Sequence, residues 1–110
     1  MIVEVVSGVS ETPEVHVVDV DDLGRLHLAV GLVDSEEADA ALRAAGLGRL
    51  ADAETGLLDT AALRAAAEPQ ASAPDWAAGW EAMVGHARDS GWVTDEGATL
   101  QVHVESAAGA

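Results

Sequence analysis

Cysteine, lysine, phenylalanine and tyrosine are all absent from this chain of 110 residues. Without cysteine there is no disulfide, no thiolate nucleophile and no cysteine-ligated zinc. Without lysine there is no Schiff-base amine and no lysine clamp for a phosphate. Cations are scarce: five arginines stand against 20 acidic residues, a formal net charge of −15. Phosphate backbones and anionic bilayers need cations for neutralisation, so nucleic acid and anionic membranes are disfavoured as partners. No apolar run approaches the ~18 residues of a membrane-spanning helix. The opening "MIVEVVSGVS" lacks the basic start of a signal peptide, and Glu4 interrupts its apolar run; the expected location is cytoplasmic.

Hydrophobic residues nevertheless make up 49% of the chain. That is enough for a core, built mostly from alanine and valine, with the three tryptophans supplying bulk. The length suits one domain, expected over residues 1–105, with 106–110 as a frayed tail. The acidic surplus reads first as a solvated surface that keeps the protein soluble. It also favours a basic partner. Carboxylates that repel one another in the folded state should push their mean pKa up, so mild acidification is expected to stabilise the fold.

"MIVEVVSG" has the alternation of a strand closed by Gly8, and "SETPE" reads as a loop. "VHVVDV", "DDLG" and "RLHLAVGL" read as a β-hairpin with Gly24 in a left-handed turn position. That register sets Val18, Val20, Leu26, Leu28 and Val30 on a core face. Val15, Val17, Asp19, His27 and Ala29 fall on the other, half-apolar face. "DSEEADAALRAAG" carries a capping box, Asp34 with Glu37, and ends at Gly46. "LGRLADAETG" is irregular or a short hairpin. "LDTAALRAAAE" is a second helix capped by Asp59, with Leu58 and Leu63 spaced as a hydrophobic staple.

The third helix lies in "DWAAGWEAMVGHARDSGW". Ser72 and Asp75 have capping-box spacing around Pro74. At about 100° per residue, Trp76, Trp80, Met83 and Val84 share one stripe. Gly91 suits the left-handed C-terminal position, which folds Trp92 back onto the last turn. Trp76, Trp80, Met83 and Trp92 are therefore expected as a core aromatic stripe rather than a ligand platform. "TLQVHVE" closes the chain as a strand, with Leu100, Val102 and Val104 opposite Gln101, His103 and Glu105. The element order predicts an α+β two-layer sandwich. Its mainly antiparallel sheet comprises the N-terminal strand, the β-hairpin and the C-terminal strand, packed by about three helices.

Catalytic motifs are few. "GLGRLA" at 46–51 matches G-x-G-x-x-A, with Glu68 about 20 residues on, but it follows a helix where the dinucleotide motif must follow a strand. "DAETG" fails as a calcium loop because alanines would occupy ligand positions. There is no G-x-S-x-G elbow and no P-loop. No cofactor or metal is expected. The one plausible cluster is Asp19, His27 and His103, where a carboxylate beside imidazoles suits acid–base work or ligation; its plain counterpart is a surface ion pair. His16 is expected at the core edge, and His86 at the margin of the third helix's apolar stripe. Three functions follow: a small acidic non-catalytic binding or accessory protein, with a homodimer as one form; an acidic inhibitor or immunity-type protein covering a basic nuclease or toxin; or a small enzyme or metal binder using Asp19, His27 and His103.

Overall fold

Alternation in "IVEVVS" puts Val3 and Val5 on one side of the first strand and Ile2, Glu4 and Val6 on the other. The computed structural model describes residues 1–7, 12–31 and 33–106, apart from the side chains of Asp95 and Ser106. The expectations for Gly8 and for tail residues 107–110 lie outside the described residues, as does most of the loop after Gly8. The strands are β1 (Ile2–Ser7), β2 (Pro13–Val18), β3 (His27–Gly31), β4 (Gly48–Asp52), β5 (Thr55–Asp59), β6 (Val93–Thr94) and β7 (Thr99–Ser106). The helices are α1 (Ser35–Ala44), α2 (Thr60–Ala67) and α3 (Trp76–Asp89). Together they form an α+β fold: a curled, mixed sheet of seven strands with three helices.

The sheet order is β2-β1-β3-β7-β5-β4, with β6 paired to β7. The expected hairpin between β2 and β3 is not formed. β1 lies between them, antiparallel to β2 through Val3↔Val17 and parallel to β3 through Val3↔Leu28. The centre of the sheet is thus parallel, since β3 also pairs parallel with β7 through Leu28↔Val104. The antiparallel pairs are β1–β2, β4–β5, β5–β7 and β6–β7. The physical reason lies in residues 19–26. They make no tight turn but cross the end of β1, with Asp19 at φ 51° and a 3-10 turn at Leu23–Arg25. The Met1 amino group donates to the Asp22 carbonyl, and the Met1 carbonyl accepts from the His27 N–H at 3.3 Å.

Pairing with β1 also reverses the faces of β2. Val17 joins the core, while Val18 flanks Ile2 on the opposite side. The inner face of the sheet carries Val3, Val5, Val17, Leu28, Leu58, Leu100 and Val102, all buried. Against it pack Leu42 of α1, Leu63 of α2, and Trp76, Trp80 and Val84 of α3.

Local chemistry sets the helix ends. Asp34 accepts from the Glu37 N–H at 2.8 Å, and Glu37 accepts from the Asp34 N–H at 3.2 Å. Asp59 caps α2 through the Ala62 N–H at 2.8 Å. The Ser72–Asp75 box expected for α3 is absent: Asp75 makes no side-chain cap bond. Ser72 and Ala73 instead donate their N–H groups to Asp21, at 3.0 and 3.2 Å. At the far end Gly91, at φ 80°, lets the Trp92 N–H reach the Ala87 carbonyl at 2.8 Å, a Schellman closure. Gly48 opens β4 at φ 150°, where a Cβ would collide with the Leu57 carbonyl oxygen.

Two carboxylates are held below their ordinary values by hydrogen bonds. Backbone N–H bonds from Ala73 and Ser72 hold Asp21 below its usual value. The Leu50 N–H, then Arg43, do the same for Asp39. At these two positions local hydrogen bonding outweighs the repulsion expected from net charge. A folded pKa below the unfolded value of 3.8 adds stability above 3.8, and that stability is lost as pH falls through the folded value. Asp21→Asn should therefore lower the melting midpoint at neutral pH, and its gap from wild type should narrow as pH drops below about 3.8; a constant gap would contradict this account.

Trp80 is 2% exposed and stacks on Trp76, with ring centroids 5.5 Å apart. Trp80→Ala should cost about 3–5 kcal/mol, a large part of what a domain of this size has. Chemical denaturation of the variant checks this; an unchanged midpoint would place the indole outside the core.

Candidate functional site

Each helix contributes core side chains to the cluster on the inner face of the sheet, and the strands' alternation sets the composition of the opposite, outer face. Across it, Val18, Ile2 and His27 form one row on neighbouring strands. His16, Glu4, Ala29 and Glu105 form the next, and Glu14, Val6 and Gly31 a third. On the other half, His103 stands beside Thr55, and Gln101 beside Leu57 and Arg49. Ile2, Val6, Val18 and Leu57 are half-buried, so the face mixes apolar side chains with carboxylates and imidazoles.

His27 and His103 do share this face, each one position before the Leu28↔Val104 pair. Asp19 does not join them as expected. It ends β2 beyond Val18, with Ile2 of β1 between that strand and His27. Asp19 and His27 both line a hollow of about 120 Å³ that Arg25 also borders. The carboxylate that meets His27 is Glu105, at 3.1 Å from Nε2. The other ring nitrogen, Nδ1, lies 2.8 Å from the Arg25 carbonyl. Both nitrogens face acceptors, so only the doubly protonated ring donates both bonds. His16 is exposed, not at the core edge, and its Nε2 lies 3.2 Å from Glu14. No short motif marks Glu4 or Glu14 for this face; alternation in β7 marks Glu105 as the face-mate of His103.

Among the described residues no group of three or more histidine and carboxylate side chains is arranged to hold a metal. A hollow of about 520 Å³ is lined by Asp19, Asp21, Asp22 and Gln70, but Asp21 there is already committed to the Ser72 and Ala73 N–H groups.

The tryptophans divide. Trp76 and Trp80 are buried, and the Trp76 indole N–H donates to the Val20 carbonyl at 2.7 Å. Met83 is half-buried against the core. Trp92 departs from the expected core stripe, with 46% of its surface exposed. The Schellman closure fixes its backbone over the last turn, and its ring meets His86 edge-on at 5.8 Å rather than entering the core. A slot of about 290 Å³ opens beside Trp92, lined by Leu26, Glu54, Thr55, Gln101, Val102 and His103.

No protein-family model matches this chain, and no curated protein or solved structure matches it.

Zn²⁺ titrated into wild type and into the His27→Ala/His103→Ala variant should show equal, weak binding. Tight binding by wild type that the variant loses would make Asp19, His27 and His103 a metal site after all.

Proposed function

We propose that this chain is a small, acidic, non-catalytic binding protein that docks a basic protein on the outer face of its sheet. The observation that carries the reading is the placement of the core on one face of the sheet. It leaves half-buried Ile2, Val6 and Val18 interleaved with Glu4, Glu14 and Glu105, with Leu57 farther along beside Gln101 and Arg49. Apolar contact supplies affinity on such a surface, and carboxylates steer and select a cationic partner. A second copy of the chain fits less well. Face-to-face pairing would bring the glutamates of both copies together and double a charge of −15. Edge pairing is also opposed, since edge strand β2 begins at Pro13 and edge strand β4 is bulged between Leu50 and Asp52. The inhibitor or immunity-type role expected from charge alone is one member of this class.

A ten-residue oligo-arginine peptide serves as the probe, read by calorimetry at moderate salt. Glu4→Gln/Glu105→Gln should weaken its binding by about fivefold. The charge-matched control Glu36→Gln/Asp89→Asn, on exposed helix positions, should change it far less. Equal losses from the two double variants would mean that net charge alone attracts the peptide, and the docking-face reading would fail.

A further inference from the structure

β7 is paired on both edges, but one edge is split. β5 takes Thr99–His103 along one side. On the other side β6 takes Thr99 and Leu100, and β3 takes Val104 onward. Gln101 extends the β6 pairing, its N–H donating to the Trp92 carbonyl at 2.7 Å. Val102 and His103 lie at the split. Leu26 arrives on one side from the 3-10 turn ahead of β3, and Trp92 on the other from the end of α3. The slot beside Trp92 is the space this split leaves, and Gln101, His103 and Thr55 place its mouth on the outer face. Leu26, Trp92, Gln101 and Val102 also border a smaller space of about 130 Å³ toward Met83 and His86.

We propose that this slot is the anchor site of the docking face and takes a single arginine side chain of the basic partner, its guanidinium stacked on the Trp92 indole and paired with the Glu54 carboxylate. The inference rests on the basic-partner reading of the face. Size argues first. Pockets for whole small-molecule ligands run from about 300 to 1,000 Å³, and this slot, at about 290 Å³, lies at the foot of that range. One long side chain suits it better than a cofactor. Charge argues second. No arginine lines the slot, and Glu54 makes no ion pair among the described residues. Its backbone is fixed, since its N–H donates to Asp52 at 2.8 Å and its carbonyl accepts from the Val104 N–H at 3.0 Å. Surface chemistry argues third. Trp92 is the exposed large apolar side chain among the described residues, held against His86. An indole face attracts a cation, and a planar guanidinium stacks on it where a lysine ammonium only approaches it. A purely apolar occupant would strip water from Glu54, Gln101 and His103 and return no bonds to them.

The test uses protein with ¹⁵N-labelled tryptophan and a capped tetra-arginine peptide. Three indole N–H resonances are available, and Trp92→Leu identifies the one from Trp92. The Trp92 resonance should shift on titration while those of Trp76 and Trp80 stay in place. Trp92→Leu should weaken the peptide by about fivefold, and Glu54→Gln, which keeps the slot's shape, by about threefold. A capped tetra-lysine peptide should move the Trp92 resonance less. A silent Trp92, unchanged binding in Trp92→Leu and Glu54→Gln, or equal responses to tetra-lysine would each overturn the proposal. The two readings separate cleanly. Binding that depends on Glu4 and Glu105 but not on Trp92 removes the slot and leaves the face; the reverse pattern removes the face and leaves the slot.

Discussion

The position of α3 depends on a short strut, Val20–Asp21, that projects from the end of β2. The Val20 carbonyl accepts the buried indole N–H of Trp76 at 2.7 Å, and the Asp21 carboxylate accepts the N–H groups of Ser72 and Ala73. These bonds tie the segment leading into α3 to the end of β2 and satisfy the buried indole N–H. Everything downstream follows from that tie. Trp80 and Val84 meet the inner face because Trp76 is fixed, and Trp92 reaches the split beside β7 because α3 is placed and then closed by Gly91. Without the strut both the core stack and the slot wall lose their reference point.

The aspartates and glutamates divide the acidic surplus between them. Asp21, Asp34, Asp39, Asp52 and Asp59 each accept a backbone N–H, so these five of the 20 acidic side chains are tied to the main chain. Short side chains suit this work because their carboxylates stay near the main chain. The glutamates of the outer face reach away from it. Among the described residues Glu14 pairs with His16 and Glu105 with His27. A count of acids does not reveal this division; which backbone each carboxylate can reach does.

Features fixed within a few residues were legible in the sequence. The Asp34–Glu37 box, the Asp59 cap, the Gly46 and Gly91 helix ends and the alternation of β7 all depend on near neighbours, and all are present. What failed depended on distant partners. "VHVVDV" and "RLHLAVGL" look like neighbours because only the four residues "DDLG" join them, but β1 inserts itself between. Because strand side chains alternate, pairing β2 with β1 in a different register sent Val17 inward and Val18 outward. The same false register put Asp19 opposite His27. The α3 cap failed likewise, since Ser72 is engaged by a carboxylate 51 residues upstream. Trp92 obeyed its backbone motif, but no local rule says whether the ring beyond a Schellman turn meets core or solvent. The juxtaposition of His27 and His103 comes from parallel pairing of β3 and β7, which the sequence does not announce.

That parallel pairing has a consequence for how the chain is made. β3 is complete by Gly31, yet its second neighbour in the sheet begins at Thr99. During synthesis β1, β2 and β3 can assemble as soon as they leave the ribosome, with one edge of β3 bare. Everything between, strands β4, β5 and β6 and all three helices, must emerge before β7 arrives to cover it. Closing so long a loop is slow, and an uncovered valine- and leucine-bearing edge invites pairing with other nascent chains. Like-charge repulsion between chains that each carry an acidic surplus opposes such pairing until the last strand completes the sheet.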